Sequence, residues 1–231
     1  MKFNYTKIFL LGFGYFAISV VWAIYNAFVP VFLANKFHLE PALIGFYMAL
    51  DNIAALLVQP PVGLWSDRVR TSIGRRLPFI LVGAPAAAVV FGLVPFMTFF
   101  PLFVACTVSF MLSMAFWRTP FFTLMPDITP SEYRSQANGI LNFMGGAGAI
   151  LAFLGGSVLY RLNPSYPFWL GSGISILVVA LLLVFIREPE FIAEKAKGQA
   201  SILRSLADGF EGGDKSALFI LLAILLVFVS N

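Results

Sequence analysis

The sequence holds one cysteine and one histidine in 231 residues. That excludes an internal disulfide and leaves too little material for a metal centre of the usual nitrogen and sulfur ligands. Cys106 lies in an apolar run and is expected to pack as a small hydrophobe. His38 sits in a short polar stretch with no partner set nearby, so nucleophile–histidine catalysis is not supported. Charge is scarce too, at 11% Asp, Glu, Lys and Arg against about 25% in soluble domains. At 60% hydrophobic residues, a soluble fold could not cover its own surface with polar groups. The lipid bilayer is the natural solvent. Paired carboxylates at catalytic spacing and metal motifs are also missing, which argues against an intramembrane enzyme.

What the chain has in quantity is long apolar runs. A bilayer-crossing helix needs ~20 mostly apolar residues. Six runs qualify: Ile8 to Leu33, Ala42 to Trp65, Phe79 to Phe100, Leu102 to Leu124, Gly139 to Leu159 and Phe168 to Ile186. The first follows Lys2 and Lys7 but is too long for a signal-peptide core of roughly 7–15 residues. A seventh run, Ala217 to Val229, has 13 residues. That covers ~20 Å of a ~30 Å hydrocarbon core, so it is expected to be the start of a truncated seventh span. The expected organisation is an all-α membrane protein: a six-span bundle over 1–186, a cytoplasmic linker over 187–216, and that seventh span over 217–231. The linker contains "AEKAKGQASILRSLADGF", which reads as an amphipathic helix on the membrane surface.

The connections differ in charge. Of fifteen Lys and Arg, twelve lie at the N-terminus or in the connections after spans two, four and six. Two lie in the other connections, and Arg118 lies within a span. This asymmetry places the N-terminus and the even connections in the cytoplasm. The net charge of +4 then reflects topology and contact with anionic lipid, not nucleic acid. Prolines recur within spans, at Pro60, Pro61, Pro85, Pro95 and Pro120; each frees a carbonyl and can bend its helix. In span five, Gly148, Ala152 and Gly156 form a small-residue stripe expected to admit another helix closely.

The stretch "GLWSDRVRTSIGRRLP", Gly63 to Pro78, concentrates charge in this greasy chain: five of the ten residues from Asp67 to Arg76 are charged. Gly63 and "SDR", followed by "GRR", resemble the signature of the major facilitator superfamily, here with five residues between the two parts. The longer form "QPPVGLWSDRVRTSIGRRLPFI" is similar to the sucrose-transporter-like and glycoside-pentoside-hexuronide:cation symporter branches. So is "RTPFFTLMPDITPSEYRSQANG", Arg118 to Gly139. The resemblance implies the N-terminal half of a twelve-span transporter, with the missing C-terminal half as its partner. It also implies a gating role for Asp67, Arg68, Gly74, Arg75, Arg76, Asp127 and Arg134, through charge contacts that hold the outward-open state.

Ionisable groups inside spans are rare and costly. There are two, Asp51 and Arg118. Counted from the apolar ends, Asp51 lies ~21 Å and Arg118 ~9 Å above the cytoplasmic end. That favours two polar layers over a direct pair. Gln59, Asn142 and Arg118 form the lower layer; Trp22 and Tyr25 share the upper one with Asp51. Asn52 and Gln59, seven apart, face one way on span two, and Asn26 follows Tyr25. Rings with amide and carboxylate partners suit a sugar, with its apolar faces and hydroxyl edges. Trp22, Tyr25, Asn26, Asn52, Gln59, Arg118 and Asn142 are the expected substrate contacts.

Melibiose-permease-like relatives hold sodium with two aspartates on span two. The matching positions here are Ala55 and Gln59, so the expected coupling ion is a proton carried by Asp51, and no cofactor is expected. Span five also lacks the Gly-Pro motif of drug/proton antiporters, which favours import. The expected function is proton-coupled uptake of a sugar or glycoside by alternating access, in a bacterial cytoplasmic membrane. The alternatives are transport of a non-sugar solute, or a six-span half with no transport of its own.

Overall fold

The computed structural model describes residues 5–186. The expected linker and seventh span lie outside the described residues. The described chain folds into α1 (Tyr5–Phe37), α2 (Pro41–Arg68), α3 (Leu77–Leu93), α4 (Phe100–Ile128), α5 (Arg134–Leu162) and α6 (Tyr166–Phe185). Short 3-10 turns, Val94–Phe96 and Ser131–Tyr133, follow α3 and precede α5. With the 3-10 turn after α3 counted into it, six helical segments of the described residues are long and apolar enough to cross a membrane, as the six apolar runs predict.

Most of the helices outrun the apolar runs, although α3 stops at Leu93, short of the run's end at Phe100. Hydropathy reports the bilayer, but backbone hydrogen bonding carries a helix on into polar sequence. Thus α5 begins at Arg134, not Gly139, and α4 continues through Asp127 to Ile128. Pro101, the residue between the third and fourth apolar runs, is helical too. It lies in the first turn of α4, where its missing N–H is harmless, and the break falls at residues 97–99. At the end of α1, the Leu39 amide reaches back to the Leu33 carbonyl at 3.1 Å. His38 sits between them with φ 53°, the left-handed position of a Schellman cap usually held by glycine. That is a structural post for the lone histidine.

α1 is the axis of the bundle. Around it runs an arc in the order α2, α4, α3, α6, α5, each packed on the next. The two ends of the arc, α2 and α5, share no packing seam, so the arc is open between them. The core is an aromatic ladder. Tyr25 of α1 stacks on Phe110 of α4, Phe110 meets Phe91 of α3 at 4.8 Å, and Phe91 meets Phe168 of α6 at 4.9 Å. Such pairs add ~0.5–1.5 kcal/mol each beyond the area they bury.

The expected small-residue stripe of α5 faces α1. Gly148, Ala152 and Gly156 are all buried there, with Gly145 one turn earlier. A Cβ on Gly148 would stand 2.6 Å from the Phe16 carbonyl oxygen, an impossible contact with backbone. Gly146, two residues away, faces open space. Gly148→Ala is therefore expected to destabilise by ~1–3 kcal/mol through overpacking, read as a lower melting temperature of the purified protein. Gly146→Ala should melt like the wild type or slightly above it. Equal melting of both variants would contradict the seam.

Candidate functional site

The charged stretch between α2 and α3 folds into a tight turn. Gly74, at φ 123°, takes a conformation that side chains resist. Its amide bonds the Thr71 carbonyl at 3.1 Å, and its carbonyl accepts from Thr71 Oγ1 at 2.5 Å. The turn delivers Arg75 and Arg76 to the ends of α2 and α4. Arg76 is the centre: its side chain is 6% exposed. It donates to Asp67 Oδ1 at 2.9 Å, to Ser66 Oγ at 3.1 Å and, through Nε, to Asp127 Oδ2. Arg75 reaches the same Asp127 oxygen at 2.8 Å. Ser66 in turn donates to the Gly63 carbonyl at 2.9 Å.

Asp127 is thus the shared carboxylate, bonded by two guanidinium groups, and Asp67 takes the third contact. Arg134 closes the far side. It donates to the Pro126 carbonyl at 3.1 Å and the Thr129 carbonyl at 3.4 Å, a cation at the C-terminus of α4. Of the seven residues expected at the gate, Arg68 alone stands apart, exposed and without a bond. Ser66 and Thr71 belong to the cluster and were not singled out by the sequence. Three aromatic rings back it: Trp65 of α2, Phe79 of α3 and Phe116 of α4, with centroids 5.2–5.9 Å apart.

Deeper in the bundle, α1, α2 and α4 bring together Trp22, Tyr25, Asp51 and Arg118. The rings of Trp22 and Tyr25 meet edge to face at 5.5 Å, and both contact Phe110. The Arg118 guanidinium lies 5.6 Å from the Trp22 ring centroid and 5.0 Å from that of Phe122, a cation–π clasp. Asp51 and Arg118 feel each other's charge but form no ion pair. Four polar atoms here are buried without a hydrogen-bond partner: Trp22 Nε1, Tyr25 Oη, Asp51 Oδ1 and Arg118 Nε.

The two expected layers therefore merge at Arg118, which belongs with Trp22 and not with a separate lower set. α4 runs on past Leu124, so Arg118 stands deeper than the apolar run implied. The four amides are not gathered in. Asn26, Asn52 and Asn142 are exposed, Gln59 is half-buried, and none of their side chains makes a hydrogen bond. A separate narrow gap, with no room for a water molecule, lies among α1, α3, α4 and α6, lined by Val21, Phe91, Phe110 and Trp117 among others. It carries no charged group and lies apart from this cluster's orphaned atoms. Sequence inspection also missed Tyr47 and Thr107, whose hydroxyls are hydrogen-bonded between α2 and α4. The available signal was Tyr47 standing four residues before Asp51, one helical turn along the same face.

Comparison with known proteins follows the same line. The chain is 27% identical over 171 residues to multidrug resistance protein 1 of Bacillus subtilis, covering 72% of this chain and 42% of that protein. It is 27% identical over 203 residues to an uncharacterised symporter of Synechocystis sp., covering 79% and 37%. It is 36% identical over 62 residues to the sucrose transport protein SUT4 of Oryza sativa subsp. indica, covering 27% and 10%. The chain thus spans less than half the length of these relatives. The family model of the Major Facilitator Superfamily matches residues 11–231. With six apolar helices and a match over nearly its whole length, the chain is that of an integral, multi-pass membrane protein and belongs to the Major Facilitator Superfamily.

Proposed function

We propose that this chain forms half of a proton-coupled carrier that takes up a sugar or glycoside by alternating access. The observation that carries the reading is the set of four orphaned polar atoms on three helices. A buried polar group without a partner costs ~1–3 kcal/mol, so four together mark a place built to bind something polar. Trp22 Nε1 and Arg118 Nε donate, Asp51 Oδ1 accepts, and the Tyr25 hydroxyl does either. Mixed donors and acceptors beside aromatic faces match a neutral polyhydroxylated solute. The sucrose transport protein among the relatives supports that class, and the symporter supports coupling to an ion.

The bundle would be oriented with the Arg76–Asp127 cluster at the cytoplasmic face of a bacterial cytoplasmic membrane. There the cluster would latch α2, α3 and α4 together while the opposite end is open. The coupling ion would be a proton on Asp51, and a second six-helix half would complete the site. The test is uptake of labelled sucrose and lactose into cells expressing the intact gene, with and without a protonophore. Protonophore-sensitive accumulation is the expected result. The multidrug resistance relative supports the rival, a carrier of a non-sugar solute. Silence across a sugar panel together with lowered sensitivity to a cationic dye would establish it. In either case Trp22→Phe should raise the KM for the transported solute about tenfold, by removing one donor from a desolvated site. An unchanged KM would take Trp22 out of the binding set.

A further inference from the structure

Two guanidinium groups at the charged end of α2 take no part in the Arg76–Asp127 cluster. Arg68, the last residue of α2, is exposed and makes no bond. Arg70, two residues on, is exposed too. Its Nη1 donates to the Asp67 carbonyl at 2.8 Å and the Val69 carbonyl at 3.2 Å. Those bonds hold the group across the end of the helix and leave Nε and Nη2 without a partner. The carboxylates of the cluster are already paired, Asp67 with Arg76, and Asp127 with Arg75 and Arg76. Glu132, in the turn before α5, forms an ion pair with neither Arg68 nor Arg70. The end of α2 therefore presents two positive charges that no carboxylate among the described residues contacts.

An apolar stripe leads away from these charges. Ile53, Leu57 and Leu64 are exposed. At 3.6 residues per turn, they and Arg68 fall within ~60° of one another around α2. The other two sides of the helix are occupied differently. Tyr47, Val62 and Ser66 are buried on one. Asn52 and Gln59 share the other, the side suited to a polar pathway or a second helical half. Leu57 and Arg68 are ~16 Å apart along the helix, close to the ~15 Å of hydrocarbon in one leaflet. Trp65, exposed at the same end, is the residue type that settles at the headgroup level.

We propose that α2 holds one anionic phospholipid, its phosphate between Arg68 and Arg70 and an acyl chain along Ile53, Leu57 and Leu64. A guanidinium fork matches phosphate oxygens, and two forks at one helix end fix the headgroup in place. A zwitterionic lipid brings a cation with its phosphate, which the arginines repel. A free phosphate ester has the charge but nothing to cover the stripe. The site is independent of the transported solute and of the coupling ion.

The test is native mass spectrometry of the intact protein, titrated with phosphatidylglycerol, phosphatidylcholine and glycerol phosphate. Arg68→Gln, Arg70→Gln and the double variant are compared with Arg161→Gln, which removes one exposed charge from the last turn of α5. None of these side chains is buried, so the fold is not at stake. Phosphatidylglycerol should bind at least tenfold more tightly than phosphatidylcholine. Each arginine near a charged headgroup should be worth about fivefold, so the double variant should lose about 30-fold. Arg161→Gln should bind phosphatidylglycerol like the wild type. Equal affinity for the two lipids overturns the proposal, as does an unchanged double variant, which would mean that another part of the protein covers the stripe. An equal loss in Arg161→Gln would reduce the effect to net charge and overturn it too. Glycerol phosphate binding as tightly as the lipid would make this a free-phosphate site and do the same.

Discussion

Asp51→Asn is expected to abolish accumulation against a gradient while leaving solute exchange in place. Under the proposed coupling, an inward gradient of one pH unit is worth ~1.4 kcal/mol per proton. A carrier moving one proton per solute would then concentrate the solute about tenfold. Asparagine matches aspartate in size and still accepts a hydrogen bond, but it cannot take up a proton. The variant should equilibrate labelled solute to a ratio near unity and still exchange internal for external solute. Proteoliposomes loaded at one pH and diluted into another measure both. Full accumulation by the variant would remove Asp51 from the coupling role. Loss of exchange as well as accumulation would place it in solute binding instead.

The second large effect is expected at Asp127. Two arginines share its carboxylate, and its side chain is 18% exposed, whereas Asp67 receives Arg76 alone and is 39% exposed. Exposed pairs contribute ~0–1 kcal/mol, and breaking a fully buried pair costs ~3–5 kcal/mol. A cluster between these limits should lose about 2–3 kcal/mol in Asp127→Asn, which would move a two-state gate by roughly 30- to 150-fold. Asp67→Asn should lose about 1 kcal/mol or less, and Arg68→Ala should change nothing measurable. The melting temperature and the initial rate of uptake should both fall in that order. If Asp67→Asn proved as damaging as Asp127→Asn, the cluster would not be centred where the hydrogen bonds place it.

The spans were legible in the sequence because a bilayer imposes one simple demand, some twenty apolar residues. Their ends were not, because Arg134, Ser135 and Gln136 satisfy a helix as well as leucine does while contributing nothing to hydropathy. Most of the charged cluster was legible from the spacing of "SDR" and "GRR". The rank of Asp127 above Asp67 was not, since it depends on two guanidinium groups converging across three helices. The polar centre was half legible. A charged residue within a span is costly enough that Asp51 and Arg118 announce themselves. An amide is cheap enough to sit on any face, and Asn26, Asn52 and Asn142 lie on exposed ones. Tyr47 and Thr107 were hidden for the same reason reversed. Each is unremarkable alone and acquires meaning only when α2 and α4 are side by side.

The way α2 is held has a mechanical consequence. It is tied near one end by Tyr47 to Thr107 and at the other by Ser66 and Asp67 to Arg76. Between the ties, Ile53, Leu56 and Leu57 are 50–75% exposed among the described residues. There the helix also carries Pro60 and Pro61, which leave the carbonyls of Leu56 and Leu57 without their backbone partners. α2 is thus a beam clamped at both ends with its soft point inside the span. Load applied at the charged end bends it at the prolines before it reaches Asp51, nine residues further along. The two ends can then yield in succession, and the stretch around Asp51 can stay rigid while the charged cluster gives way.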